Sequence, residues 1–480
     1  MTGHSEEEDT SQIMKQFEEK RVSFPPDEEM VSAFVESRDE LREADSLTPT
    51  DIILAYIQSC EKHKVQPNPK ALDQIKEITC VTDRARCLDL SGERLDYCSC
   101  ESLEEILKSV QFDFISLRGA ELEENGASSL LDMFLYYESA THLDVSSNSG
   151  MGFSGWLSLS HLLKQSGCLW RLDACNMPMV DYAAQALSKA LLTSRLTVLH
   201  LENTRLSGKP LFTLVGALKR NGALQELYLG ENNFNGYQDS MQLGDLLKYN
   251  STLKTLDLSN NSISDSGLEE ICDGLRFQKT GLRTLTLSNN QITHHGMSHL
   301  QNVLPCLKTL ETLNLGKNSL ENRGIHTLKE SLMINRSLLQ LGLASTGITC
   351  EGAVTLAEIL AENLQIQRLD VRHNQMLAGG LMALSLALKI NHSLIRLDLD
   401  QHLKEEKYAL SAHRGVGNML DFLLGDEDEG CNKVIGVELK YPNVKLFIID
   451  SMKNRKELKG YRKDVCQGCG KNTIVVNLLP

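Results

Sequence analysis

Basic charge is what this sequence has least of. Its 480 residues carry 49 Lys and Arg against 64 Asp and Glu, a net charge of −15. The deficit is concentrated at the start. Residues 1–50 hold 14 acidic and 5 basic side chains, a balance of −9, which leaves −6 for the other 430. A chain without a basic face is not expected to hold a nucleic acid or an anionic membrane surface. Long apolar runs are missing too: no stretch of 18 apolar residues is present to span a bilayer. The N-terminus has no signal-peptide pattern, and Thr2 excludes N-myristoylation. The 13 cysteines are odd in number and scattered, which argues against a disulfide framework. A reducing compartment, cytoplasmic and/or nuclear, is expected.

Catalytic signatures are also absent. There is no G-x-x-x-x-G-K-[ST] loop, G-x-S-x-G elbow or H-E-x-x-H helix, so no enzyme and no cofactor are expected. Cys466-Gln467-Gly468-Cys469 supplies half of a structural zinc site, with only His413 or Cys431 to recruit and no second C-x-x-C nearby. Cys98-x-Cys100 is weaker still, and His294-His295 falls at a strand-to-helix turn where polar residues belong. No metal is expected.

What is abundant is repetition. LKTLDLSNNSI (253–263) returns as LRTLTLSNNQI (282–292) and as LETLNLGKNSL (310–320). Aligned on one apolar position, the series runs Leu88, Ile115, Leu143, Leu172, Leu199, Leu227, Leu256, Leu285, Leu313, Leu341, Leu369 and Leu397, in steps of 27–29. This is the leucine-rich repeat, L-x-x-L-x-L-x-x-N. Each unit pairs a short strand, such as one carrying Leu253, Leu256 and Leu258, with a helical half such as DSGLEEICDGL. The fold expected is α/β: a horseshoe of the ribonuclease-inhibitor type, with a parallel concave sheet and convex helices. Asn148, Asn232, Asn261, Asn290, Asn318 and Asn374 share one phase, where a side-chain amide satisfies backbone groups at the turn away from the strand.

A second phase carries the triplets Asn250-Ser251-Thr252, Asn335-Arg336-Ser337 and Asn391-His392-Ser393, and also Asn221. All lie six residues before the aligned apolar position. Such phase-locking indicates a helix exit, with Asn in the left-handed cap conformation, and not glycosylation.

Four regions follow. Residues 1–45 form an acidic leader with the composition of a disordered segment. Residues 46–84 form a helical N-terminal cap, opened by Thr48-Pro49-Thr50-Asp51. The array of about 12 repeats occupies 85–402. Residues 403–480, with strand-like pieces such as VKLFIID (444–450), form a C-terminal cap or tail.

The leader contains KRVSFPPDE (20–28). In an extended segment Val22 and Phe24 point one way and Ser23 the other, and Pro25 and Pro26 hold the chain extended. Two apolar anchors on one face suit a groove beside a sheet edge. Arg21-Val22-Ser23-Phe24 matches the RVxF docking motif of protein phosphatase 1 partners, with Lys20 adding basic charge. KRVSFPPDEEMVSAFVE, LDLSGERLDYCSCESLEEI, LQELYLGENNFNGYQDSMQLGDLLKYN and GGLMALSLALKINHSLIRLDLD carry a wider resemblance, which runs from about residue 20 to 400. The chain resembles a leucine-rich-repeat family of protein phosphatase 1 regulatory subunits. The resemblance implies binding of the phosphatase catalytic subunit through Lys20, Arg21, Val22, Ser23 and Phe24, with inhibition of phosphatase complexes. After Leu403 the sequence departs from the vertebrate relatives, which continue into a long polar, proline-rich tail.

Ser23 follows basic residues and is a candidate phosphorylation site. For a second protein on the concave face, the candidate contacts are Arg171, His200, Tyr228, Arg368, Asp370, Arg372, Arg396 and Asp398. The last five also form a ladder of ion pairs between neighbouring strands. Two rival readings stand: a Ran-type GTPase-activating protein, poorly supported by the short acidic run 426–429, and a pure repeat scaffold with an accidental RVxF match.

Overall fold

The computed structural model describes residues 48–80, 83–278 and 281–400, together with the backbone of three strands beyond them. Lys20, Arg21, Val22, Ser23 and Phe24 lie outside the described residues, as do His413, Cys431, Cys466 and Cys469.

The first element is helix α1 (Pro49–His63). Thr48 is extended and its hydroxyl accepts from Asp51 N at 3.3 Å, while the Asp51 carboxylate accepts from Thr48 N at 2.9 Å. This reciprocal capping satisfies two donors that a helix start leaves open. Asn68 caps α2 (Pro69–Lys76) by accepting from Ala71 N at 3.1 Å. Ile52, Tyr56, Cys60, Ala71 and Ile75 are buried and cover the open end of the first repeat.

Twelve strands then alternate with helices in one parallel sheet, in chain order. Those that carry the functional surface are β2 (Phe112–Ser116), β3 (Ala140–Asp144), β4 (Arg171–Asp173), β5 (Val198–His200), β6 (Glu226–Tyr228), β11 (Arg368–Asp370) and β12 (Arg396–Asp400). The twelve aligned apolar residues form a single row across the sheet: Leu88 pairs with Ile115, Leu172 with Leu199, Leu256 with Leu285 and Leu369 with Leu397. All twelve are at most 2% exposed. On the helical side Leu268, Ile271, Cys272 and Leu275 of the helix Ser264–Leu275 are buried against the same core. Past β12 the sheet continues: β15 (Thr473–Leu479) pairs parallel to it, β14 (Lys445–Asp450) parallel to β15, and β13 (Ile435–Glu438) antiparallel to β14.

Leucine rows alone are non-directional. Direction comes from buried asparagine. Asn232 Nδ2 donates to Leu229 O at 3.0 Å in its own repeat and to Leu201 O at 2.8 Å in the repeat before. Its Oδ1 accepts from Thr204 N at 2.9 Å and Leu206 N at 3.0 Å, again in the preceding repeat. Asn148, Asn261, Asn318 and Asn374 repeat the pattern. Thr204 and Thr346 occupy the same phase and keep one donor, bonding Leu201 O and Leu343 O.

A second ladder runs along the opposite rim. Asn250 Nδ2 donates to Leu218 O at 2.8 Å in the previous repeat, and its Oδ1 accepts from Thr252 N and Leu253 N. Asn221, Asn335, Asn363 and Asn391 do the same, and Gln278 donates to Leu247 O and Asn250 O. These residues are buried, so the three glycosylation-like triplets are structural. The expected left-handed cap is not what they adopt. Asn250 and Asn335 are extended, at φ −87° and −61°, and from that conformation the amide reaches back to the previous helix end. The left-handed residues stand one before the first ladder, at Asn203, Asn260 and Asn289 among others.

Among these asparagines, Asn290 Oδ1 has no partner, whereas Asn261 Oδ1 accepts from Asn232 N at 2.8 Å. Losing the Asn261 side chain strands buried donors and carbonyls at about 1–3 kcal/mol each. Asn261→Ala should therefore cost roughly 2–5 kcal/mol in urea unfolding, and Asn290→Ala measurably less. Equal losses would contradict the ladder.

Candidate functional site

Each strand buries its central leucine and turns the residues on either side to the opposite, concave face. Parallel register then stacks those outward side chains in columns. Across β3 to β6 one column reads His142, Arg171, Val198 and Glu226, and the next Asp144, Asp173, His200 and Tyr228.

Asp173 is the hub of this region. Its carboxylate accepts from Arg171 Nε at 3.0 Å and lies 2.7 Å from His142 Nε2, with His200 Nε2 3.8 Å away. Burial alone would raise this carboxyl, but the hydrogen bonds from His142 and Arg171 outweigh it and hold it below the usual range. His200 Nδ1 stands 3.0 Å from Glu202 Oε1, and the Cys175 thiol donates to Glu202 Oε2 at 2.9 Å. Burial, reinforced by that carboxylate, pushes the Cys175 thiol up to about 12. Aromatic rings flank the network. Phe114 stacks on His142 at 4.2 Å, and Tyr228 lies flat against His200 at 4.0 Å. Tyr228 Oη donates to Glu226 at 2.9 Å, and its ionisation is pushed up to about 12 by burial and then by Glu226.

The second charged group lies on β11 and β12. Arg372 Nε donates to Asp370 at 2.8 Å, Arg396 Nε to Asp398 at 2.8 Å, and Arg368 Nε to Asp398 at 3.0 Å. Two of these pairs stay within their own strand segment, whereas Arg368–Asp398 bridges neighbouring strands as expected of an inter-strand ladder. Asp398 also departs from its expected role. Its side chain is 0% exposed between two guanidinium groups. A carboxylate buried there is stable because both arginines satisfy it, and that leaves it no surface for a partner. The arginines and Asp370 keep partial exposure.

His200, Tyr228 and Arg171 thus come together, as do Arg368, Asp370, Arg372 and Arg396. The two groups are five strand spacings apart, about 24 Å. The outward residues between them, Thr255, Asp257, Thr284, Thr286, Thr312, Asn314, Gln340 and Gly342, carry one charge. Sequence reasoning missed His142, Cys175 and Glu202. The signal was there, since one step of 27 residues carries Asp173 to His200 and Cys175 to Glu202.

Asp370 gives a pH test. Burial would raise its carboxyl, but hydrogen bonds from Arg372 dominate and depress it. A depressed carboxyl contributes stability that is present above its unfolded pKa, about 3.9, and lost as pH falls through the folded value. Asp370→Asn should cost about 1–3 kcal/mol at neutral pH, and its deficit against the parent should shrink below pH of about 4. A deficit independent of pH in urea titrations would contradict this.

Leucine-rich-repeat family models match residues 249–272 and 281–303. Protein phosphatase 1 regulatory subunit 37 from Bos taurus is 53% identical over 293 residues, which is 61% of this chain and 42% of that protein. The Danio rerio protein of the same name is 51% identical over the same share of this chain and 32% of its own. Among solved structures, the complex of Rad7 and Elc1 in yeast aligns over 75% of this chain and 89% of that chain, at 15% identity and a TM-score of 0.39. The chain spans about two fifths of the length of the bovine relative. The fold is the α/β leucine-rich-repeat fold, and over about three fifths of its length the chain is similar to protein phosphatase 1 regulatory subunit 37.

Proposed function

We propose that the chain is a non-catalytic regulatory subunit that binds the catalytic subunit of protein phosphatase 1 through Arg21, Val22, Ser23 and Phe24, and inhibits or redirects its activity. The observation that carries this reading is the 53% identity with proteins named as regulatory subunits of that phosphatase. The RVxF match in an acidic leader supplies the docking segment. Burying Val22 and Phe24 contributes roughly 3–6 kcal/mol, whereas micromolar binding needs about 8 kcal/mol. Further contacts must add to the two anchors. The concave face supplies candidates in Arg171, His200, Tyr228, Arg368, Arg372 and Arg396, which keep partial exposure; Arg and Tyr are among the types enriched at protein interfaces. A leader tethered to the phosphatase also raises the effective concentration of any second contact with the array.

Capture of the phosphatase catalytic subunit by the full chain tests this. Val22→Ala with Phe24→Ala should weaken capture at least about a hundredfold, and a phosphate on Ser23 should weaken it by placing a dianion between the anchors. Undiminished capture by the double variant, or by a chain lacking residues 1–45, would leave a pure repeat scaffold. Stimulated GTP hydrolysis on adding the chain to a Ran-type GTPase would favour the other rival.

A further inference from the structure

The array carries a cluster of chemistry separate from the RVxF segment. Cys175 lies two residues beyond β4 and Glu202 two residues beyond β5, where His200 is the last strand residue. The repeat step sets all three together, half-buried in adjacent repeats, with one sulfur, one imidazole nitrogen and one carboxylate oxygen within 4.8 Å of one another. We propose that Cys175, His200 and Glu202 bind one divalent zinc ion on the concave face, with the fourth coordination position open.

The donor set selects the metal. A thiolate and an imidazole beside a carboxylate suit zinc and disfavour magnesium and calcium, which take oxygen ligands. The spacing fits as well. Zinc binds sulfur at about 2.3 Å and nitrogen or oxygen at about 2.0–2.2 Å, so tetrahedral ligands stand about 3.5 Å apart. The present separations are 2.9 Å for Cys175 to Glu202 and 3.0 Å for His200 to Glu202, so small side-chain shifts admit the ion.

The surroundings are arranged as an outer shell. Zinc-bound histidine presents its other ring nitrogen to a carboxylate or carbonyl. Here His200 turns Nδ1 to Glu202 and Nε2 towards Asp173 at 3.8 Å. Asp173 is itself fixed by Arg171 and His142. The loop holding Cys175 is pinned because Cys175 N donates to Ser146 Oγ at 3.0 Å. Proton bookkeeping closes simply. Zinc displaces the thiol proton of Cys175 to solvent. The imidazole binds zinc through Nδ1 with its proton on Nε2, which faces Asp173 at 3.8 Å, and Glu202 binds as carboxylate.

Cobalt(II) titration of the chelator-treated full chain tests the proposal. One equivalent should produce a thiolate-to-cobalt charge-transfer band with tetrahedral d–d absorption, and zinc should displace it. Cys175→Ser should abolish the band, and Asp173→Asn should weaken binding by about tenfold or more. Cys466→Ser with Cys469→Ser should leave it intact. X-ray absorption on the zinc-loaded parent needs no variant to fold and should show one sulfur at about 2.3 Å. A shell with no sulfur or with several sulfurs would overturn the assignment. So would a charge-transfer band that survives Cys175→Ser, or one lost with Cys466 and Cys469.

Discussion

The buried side-chain amide is the constraint on which the rest of this solenoid depends. Leucine rows supply most of the burial, but burial is indifferent to sliding one repeat over the next. An amide is not indifferent. Asn232 must place two N–H groups on Leu201 O and Leu229 O while its oxygen receives Thr204 N and Leu206 N, and only one register of the two repeats allows that. Asn250 and its equivalents impose the same condition at the helix exits. A buried polar group left half-satisfied is costly, so the two rims act as paired locks on either side of the apolar core.

The concave face inherits its order from those locks. Because register is fixed, residues a repeat apart become lateral neighbours, and groups 27–31 positions apart in the chain become one site. That is how Asp173 collects His142, Arg171 and the approach of His200, and how Asp398 comes to lie under two guanidinium groups. The face is polarised along the sheet, with histidine, carboxylate and aromatic groups on β2–β6, arginine and aspartate on β11 and β12, and a nearly neutral stretch between. In the proposed regulatory role the leader supplies attachment, and this polarised surface supplies selectivity for whatever the array holds.

Much of the architecture was legible in the sequence because its period is written into every unit. The row Leu88 to Leu397 follows residue for residue from the repeat period and is the row that the sheet pairs, and the ladder role of Asn261 follows from its phase. The second ladder was half legible. Phase marked Asn250, Asn335 and Asn391 as structural, yet the left-handed conformation expected there belongs to neighbours of the other ladder, such as Asn203 and Asn260. Local propensity favours Asn in that conformation; reaching a carbonyl in the previous repeat overrode it. Burial of Asp398 was illegible, because nothing in RLDLD distinguishes a carboxylate facing a partner from one covered by arginines of two strands. The grouping of Cys175 with Glu202 needed the register rather than the motif, since neither residue lies in a recognisable pattern.

Hydrogen exchange at the turn amides tests the interlocking most directly. Thr204, Leu206, Asn232 and Ile292 donate their backbone N–H groups to asparagine side chains of the following repeat. No backbone hydrogen bond protects them. If the amide ladders lock the array, these four should exchange as slowly as the strand amides of β5 and β6 and only through opening of neighbouring repeats together. Exchange at the rate of exposed turns would contradict the account.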